Sequence, residues 1–288
     1  MIQTCALSHF ALSKTASGFS RKHRNHPQIA ILTNTIMTST STIITPELLK
    51  SEPFLWNAEK QTPPAERRVC IDASHPALWG NATLAAAAAL RCGSQINVVA
   101  SGHELGALAL AVPESTFLLD AAAAGENAVH CLLEMPASLT SQRAVIAAGA
   151  SVALPDGCIG VSNQSLENIS GKSTFMGGWP QLKVLLADGS SYEPEARPAK
   201  DGPQPFISGG EFVLAGIAAA LLSRGLAENA ACVWSLYLFH LSIEAAAKDL
   251  GSEGVRAADL IARLPGSLRY ATRHADASVS VRSGLRPV

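Results

Sequence analysis

The chain has 288 residues, of which 48% are hydrophobic, and its formal net charge at pH 7 is -1. This charge balance gives no electrostatic basis for nucleic-acid binding, and the length suffices for one sizeable hydrophobic core. Six scattered cysteines without a Cys-x-x-Cys pair are typical of buried thiols in a reducing compartment, so we expect a cytoplasmic protein.

The N-terminal segment differs from the rest of the chain. Its first 36 residues are basic and rich in Ser and Thr, and the first acidic residue is Glu47. A transit peptide has such a composition. We favour a simpler interpretation, in which residues 1–44 are a disordered extension or reflect a start upstream of an initiator at Met37. We therefore expect the folded domain at residues 45–268 and a C-terminal tail at 269–288.

The first part of this domain alternates strand and helix. Residues 69–73 and 96–100 are apolar and β-branched, which predicts two strands. Between them, an alanine-rich helix is expected to begin at an N-cap, Asn81, and to end at Arg91, before Gly93. A strand, a helix and a second strand in this order predict a parallel pair.

The middle of the chain has a less regular pattern. Residues 140–148 predict a helix, and residues 152–154 predict a strand. Residues 160–180 are rich in Gly, Ser and Asn and are expected to form a loop, either a lid or substrate-binding stretch, or a disordered insertion. Residues 183–187 and 191–193, joined by an Asp-Gly pair, predict a β-hairpin.

Three helices are predicted in the C-terminal third. Apolar residues at helical spacing follow Gly209 and Gly210, and Gly225 ends this helix. Residues 228–251 form the second helix, whose Ser, His and Glu side chains indicate a buried helix and not a membrane span. The third helix covers residues 257–264 and is closed by a proline.

The glycine pair makes the start of the first of these helices a candidate anion site. Glycine lets the backbone approach a ligand, and the first N–H groups of a helix carry partial positive charge. The adjacent Glu211 is placed to move a proton. A glycine pair before a helix also serves as a plain turn, so the pattern alone leaves both interpretations open.

The alternation of strands and helices predicts an α/β fold with a mostly parallel central sheet. Around the glycine pair, a set of residues resembles the ADP-dependent NAD(P)H-hydrate dehydratases, ribokinase-like enzymes that repair hydrated nicotinamide cofactors. The matching positions, in order and spacing, are Val213-Leu214-Ala215-Gly216-Ile217, Val233-Trp234, Tyr237-Leu238, Ala258-Asp259-Leu260-Ile261 and Leu264-Pro265. The N-terminal side of the domain is similar to the family more weakly, and the middle is shortened and divergent.

The resemblance implies a three-layer α/β/α sandwich and a carbon–oxygen lyase. In such an enzyme, ADP or ATP phosphorylates the hydroxyl of hydrated NADH or NADPH, and loss of phosphate regenerates the cofactor. The resemblance further implies that Ser208, Gly209 and Gly210 hold the nucleotide phosphates, which Mg²⁺ screens. Ser74 and Asn81 would contact the hydrated cofactor.

One departure from the family concerns catalysis. Without a gap, Phe212 holds the position of the family's catalytic Asp; with a gap of one residue, Glu211 becomes the base. Glutamate is longer by a methylene, and a misplaced base costs rate. The family's His-Pro-Gly-Glu segment, Gly-Pro-Gly turn and Lys-Gly strand are not found in this sequence.

Three functions therefore stay open. The first is the dehydratase, with full or degraded activity. The second is a non-catalytic ribokinase-like protein that binds nucleotide or assembles with other subunits, and the third is a small-molecule kinase on the same fold. We expect no nucleic-acid or membrane partner and no metal-ligand cluster, and the alanine-rich helices are compatible with a homo-oligomer.

Overall fold

The structure is a computed structural model, and the residues that it describes are 40–57, 60–100, 102, 105–125, 127–134, 143–147, 154–155, 157–164, 166, 173–177, 181–195 and 207–282. Within these residues, ten strands form one sheet. They are β1 (Thr42–Ile44), β2 (Arg68–Asp72), β3 (Gln95–Val99), β4 (Thr116–Leu118), β5 (Val129–Leu132), β6 (Ala144–Ile146), β7 (Cys158–Ser162), β8 (Thr174–Gly177), β9 (Lys183–Leu185) and β10 (Ser191–Pro194). The described residues also form five α-helices: α1 (Trp79–Arg91), α2 (Leu105–Ala111), α3 (Gly210–Ser223), α4 (Glu228–Leu250) and α5 (Ala257–Arg282).

The sheet has the order β1-β10-β9-β8-β7-β6-β5-β2-β3-β4. Strand β9 pairs antiparallel with β8 and β10, and every other described pair is parallel. The antiparallel pairing of β9 with β10 confirms the predicted hairpin, and its Gly189 has a φ of 85°. Strand β1 was not predicted from the sequence, and it extends the sheet by pairing with β10.

The two faces of the sheet bury different side chains. In β2, Val69 and Ile71 lie in the main hydrophobic cluster, to which all five helices contribute, whereas Cys70 belongs to a smaller cluster on the opposite face. All three side chains are at most 1% exposed. A strand buried on both faces has a continuous apolar sequence, which is why residues 69–71 were recognisable as a strand.

Helices α1 and α3 pack against each other at backbone distance. A Cβ atom on Gly216 of α3 would lie 2.3 Å from the carbonyl oxygen of Ala85 in α1. No real side chain tolerates such a contact, so glycine is required for this packing. The close approach fixes α3 on the sheet beside α1.

The middle of the chain contains strands where a helix and a loop were predicted. The predicted helix at residues 140–148 is wrong, because Ala144, Val145 and Ile146 form β6 and are fully buried. The predicted loop at residues 160–180 is wrong at both ends, which belong to β7 and β8. Gly160 had suggested a loop, but it lies opposite Phe175 in the register, and a Cβ there would be 2.4 Å from the ring.

Two helix ends also differ from prediction. Asn81 is not the N-cap of α1, because a short 3-10 turn at Pro76–Leu78 leads into a helix that begins at Trp79. Pro265 does not end α5, which continues to Arg282. A proline removes one N–H donor, yet Ser267 beyond it is buried and its hydroxyl accepts a hydrogen bond from Ser242 of α4 at 3.0 Å.

Helix α4 has the length and apolarity of a membrane span, but 78% of its apolar window is buried within the protein. Its side chains pack on β8, β9, β10 and α5. This confirms the prediction of a buried helix at residues 228–251. Of the predicted strand at residues 152–154, only residue 154 lies in the described part of the chain. Residues 1–39 lie outside it.

Candidate functional site

The candidate site lies at the carboxyl ends of the parallel strands, where α3 begins. Helix α3 follows Gly209, and its first turn is next to Asn163, the residue that follows β7. At its other end the carbonyl of Leu222 accepts a hydrogen bond from Arg143, just before β6. The helix therefore runs from the carboxyl edge of the sheet to the amino edge, and ligands of open α/β sheets bind at the carboxyl edge.

The start of α3 is a tight turn with a left-handed glycine. Gly209 has a φ of 79°, and the Gly210 N–H donates to the Ile207 carbonyl at 2.9 Å. In this conformation Gly210 offers no free N–H to a ligand. A Cβ at Gly210 would lie 3.2 Å from the Phe239 ring, so the tight packing at this position favours glycine. Within the described residues, the N–H groups of Ser208 and Gly209 have no acceptor.

Glu211 is the titratable group at this helix start. It is half-buried, and Asn163 Nδ2 donates to its Oε1 at 3.4 Å. Burial raises the pKa of the Glu211 carboxyl, and hydrogen bonds from its own backbone N–H and from Asn163 partly oppose that rise. A carboxylate with a raised pKa beside the positive end of a helix is a suitable general base.

Phe212 has a different environment from Glu211. Its ring packs against the main hydrophobic cluster, while the carboxylate of Glu211 contacts a residue at the sheet edge. Of the two positions left open by the sequence, Glu211 is thus the one whose side chain reaches the candidate site.

The two predicted substrate contacts lie on the same edge but on other elements. Ser74 follows β2, and both its N–H and its hydroxyl donate to Asp72 Oδ1, at 3.0 and 2.6 Å. Asn81 is half-buried in the first turn of α1. Because β5 and β6 separate β2 from β7, roughly 14 Å lies between the ends of β2 and β7. The structure therefore does not bring Ser74 next to Glu211.

Sequence reasoning missed Asn163. It lay in the supposed loop, although a polar residue directly after the buried run at Cys158–Ser162 is the signal for a strand that ends at a ligand edge. Ser162 is 3% exposed, and its Oγ accepts from the Gln164 N–H at 3.0 Å. This turn fixes the backbone on both sides of Asn163.

Other polar residues have structural roles. His75 is exposed, and its Nδ1 accepts from the Ala77 N–H at 3.3 Å in a surface turn. His240 is buried in α4 and pairs with Glu244 at 3.4 Å. The described residues contain no group of three or more His, Cys, Asp or Glu that could hold a metal ion.

No protein-family model matches this sequence, and no curated protein matches it. Solved structures do match. ADP/ATP-dependent NAD(P)H-hydrate dehydratase from Bacillus subtilis, co-crystallised with ATP/Mg²⁺, has a TM-score of 0.62 at 13% identity, over 80% of this chain and 99% of that chain. A ribokinase-like superfamily protein from Enterococcus faecalis has a TM-score of 0.60 at 16% identity, over 81% and 96%.

The chain has a ribokinase-like fold. The Bacillus subtilis protein YxkO, a member of the UPF0031 family, is similar to the same extent, with a TM-score of 0.61 at 14% identity over 81% of this chain and all of that chain. The ten-stranded, mostly parallel sheet with five helices confirms the predicted α/β fold class. The resemblance found in the sequence and the similarity found in the structure thus point to the same set of proteins.

Proposed function

We propose that the protein catalyses the ADP- or ATP-dependent dehydration of hydrated NADH or NADPH. The observation that carries this proposal is a half-buried carboxylate, Glu211, at the carboxyl edge of a ribokinase-like sheet, beside a helix start where the N–H groups of Ser208 and Gly209 have no acceptor among the described residues. Similarity in fold to a NAD(P)H-hydrate dehydratase and the sequence resemblance around Gly216 support the choice of substrate.

The proposed reaction has two steps. First, Glu211 takes the proton of the substrate hydroxyl, and the hydroxyl oxygen attacks the terminal phosphorus of ADP. A new O–P bond forms, and the bond to the leaving AMP breaks. Second, phosphate leaves with the electron pair of the C–O bond, and the adjacent carbon loses a proton to solvent, which restores the reduced nicotinamide ring. A raised pKa makes Glu211 a stronger base for the first step.

The start of α3 would hold the transferred phosphoryl group. The N–H groups of Ser208 and Gly209 point to this role, together with the positive end of the helix. Gly210 contributes by leaving room and not by donating, because its N–H is bonded to Ile207. Phosphoryl transfer depends mainly on positioning and charge stabilisation, which such a helix start supplies.

Mg²⁺ and the second substrate complete the proposed site. Mg²⁺ commonly takes most of its ligands from phosphate and water and one or two from carboxylates, which agrees with the lack of an acidic cluster in the described part of the chain. Ser74 and Asn81 would contact the hydrated cofactor. Their separation from β7 suits a site that must hold two large molecules side by side.

A non-catalytic nucleotide-binding protein is the second candidate. It is favoured by Phe212, an apolar residue packed on the core where related enzymes have the catalytic Asp. In this case the helix start would bind nucleotide, and Glu211 would transfer no proton. The five described cysteines are buried and unpaired, which supports a cytoplasmic location for either candidate.

Two measurements on one sample test the proposal. Calorimetry with ADP and MgCl₂ reports nucleotide binding, and the absorbance of reduced nicotinamide reports dehydration of the hydrate. Binding with turnover is the expected result. Binding without turnover would favour the non-catalytic candidate, and a folded sample that binds no ADP at millimolar concentration would refute both.

A further inference from the structure

A cavity lies at the opposite edge of the sheet from Glu211. It has a volume of about 430 Å³ and is lined by residues from the amino ends of β2, β5 and β6 and from the end of α3. This volume lies in the range of small-molecule sites. Its polar lining consists of Thr62, Glu66, Arg68, Asn127, Arg143 and Ser223.

Two arginines bring positive charge to this cavity. Arg68 begins β2 and Arg143 directly precedes β6, with β5 between them, so about 10 Å separates the two strands. Arg143 Nη2 donates to the Leu222 carbonyl at 2.7 Å, which fixes its charge in the cavity wall. The side chain of Arg68 is exposed and lines the cavity, and it makes no hydrogen bond or ion pair with any described residue.

Two further arginines, Arg67 and Arg224, lie next to Thr62. Arg67 Nε donates to the Thr62 carbonyl at 2.7 Å, and Arg224 stacks on Trp56, 4.7 Å from the ring centroid. Within the described residues neither forms an ion pair. Burial and the like charge of Arg67 lower the pKa of Arg224 to about 10. Arg67 and Arg224 therefore add positive charge that no described carboxylate pairs with at ion-pair distance.

One buried hydrogen-bond donor near this edge of the sheet has no acceptor among the described residues. Gln61 accepts from Arg224 Nε at 3.1 Å, but its own buried Nε2 has no partner among the described residues. The lining contains one carboxylate, Glu66, against two guanidinium groups. Gln61 does not line the cavity, and an anion in the cavity would supply acceptor oxygens and negative charge to the two guanidinium groups.

We propose that this cavity binds a small metabolite through a phosphate or carboxylate group that pairs with Arg68. Guanidinium groups match both anions because their N–H donors form a planar fork. The positive charge of Arg143 strengthens the attraction, and the hydroxyl of Thr62 and the amide of Asn127 add polar contacts. Glu66 weakens the attraction and so limits the affinity. The site is separate from Glu211 and does not depend on the proposed function.

Calorimetry at low ionic strength on the full chain tests this site, with pyrophosphate and citrate as probes. Pyrophosphate represents a phosphate-bearing ligand and citrate a carboxylate-bearing one. We expect saturable binding of at least one probe, about tenfold weaker in Arg68→Gln because one charge-assisted pair is lost. Glu66→Gln should bind the probe a few times more tightly, because it removes a repulsive charge.

Arg269→Gln is the matched control, because it removes one exposed arginine from α5 without touching the cavity. Its affinity should equal that of the unmodified chain. Thermal unfolding of each variant verifies that it is folded. Absence of saturable binding at millimolar probe, or equal affinity in the unmodified chain and Arg68→Gln, would overturn the proposal. A probe that ADP and MgCl₂ displace, and that Arg68→Gln binds as tightly as the unmodified chain, would place the anion at the start of α3 instead.

Discussion

The two ends of helix α3 differ in how their polar groups are satisfied. At the C-terminal end, the Ser223 hydroxyl bonds to Ser94 at 2.8 Å, and Arg224 donates to the Cys92 carbonyl at 3.0 Å. At the N-terminal end, the N–H groups of Ser208 and Gly209 have no acceptor within the described residues. The carboxylate of Glu211 accepts a long hydrogen bond there from Asn163, at 3.4 Å, besides the one from its own backbone N–H.

This difference distinguishes the C-terminal end of α3, which is bonded to the rest of the protein, from the N-terminal end, which is the candidate ligand site. Every helix begins with unpaired donors and ends with unpaired acceptors, and a structural end is closed by other protein groups. The C-terminal end of α3 is closed in this way, so it anchors the helix to α1 and β6. At the N-terminal end, the described residues supply no acceptor for the N–H groups of Ser208 and Gly209, as the proposed ligand site requires, and the anchoring of the helix fixes where Glu211 lies.

The largest expected effect comes from the anchored part of the helix. Gly216→Ala would place a Cβ 2.3 Å from the Ala85 carbonyl oxygen and force α1 and α3 apart. We expect a loss of ~3 kcal/mol in the free energy of unfolding, measured with urea. The control is Gly266→Ala in α5, which has open space and should be stabilising by ~1 kcal/mol. Equal stability of the two variants would contradict the packing described.

A smaller effect is expected at the C-terminal end of α3. Ser223→Ala leaves the buried hydroxyl of Ser94 without its partner and should cost ~1–2 kcal/mol in unfolding free energy. Adding Ser94→Ala should cost less than the sum of the single substitutions, because the two hydroxyls are lost together. ADP affinity should stay unchanged in both variants. A fall in ADP affinity would show that the anchored end also takes part in binding.

Asn163→Ala tests the open end of the helix. Asn163 donates to Glu211 and lowers the pKa of that carboxyl against the effect of burial. Its removal should raise the pKa of Glu211 further, so that the acid limb of the pH–rate profile moves to higher pH. The matched control is Gln164→Ala, whose side chain makes no described contact with Glu211. An unmoved acid limb would show that another group titrates.

The smallest effect concerns stability. The pKa of Glu211 is raised in the folded protein, so the folded state holds the proton of this carboxyl more tightly than the unfolded state does. The free energy of unfolding therefore falls as pH rises from the normal glutamate pKa through the raised one. Glu211→Gln should therefore be more stable than the unmodified chain at neutral pH, and this advantage should shrink below about pH 4.3. Urea midpoints at the two pH values measure it, and an advantage that grows in acid would contradict the raised pKa.

The sequence allowed much of the fold to be predicted, because two kinds of signal were clear. Alanine-rich runs with glycine ends predicted α1, α3 and α4, and β-branched runs predicted β2 and β3. The fully buried Ala144–Ile146 strand could not be recognised, because so short an apolar run, continued by two alanines, fits a helix as well as a strand. Gly160 was wrongly interpreted as a loop residue, because its small size makes room for the Phe175 ring and does not mark a turn.

The candidate site was predictable only in part. The glycine pair and Glu211 were visible because a helix start has a local sequence pattern. Asn163 was not, because its contact with Glu211 joins residues 48 positions apart and depends on the order of the strands. The Gly210 N–H bond to Ile207 likewise depends on the conformation of the turn and not on residue type.

The most direct test of the account is the turnover of Glu211→Gln with hydrated NADH, ADP and MgCl₂, set beside ADP binding by the same variant. We expect turnover to fall by about a hundredfold or more, as for loss of a general base, with ADP affinity kept. Glu253→Gln, an exposed carboxylate on a separate turn, should leave both unchanged. Unaltered turnover in Glu211→Gln would contradict the assignment of Glu211 as the base.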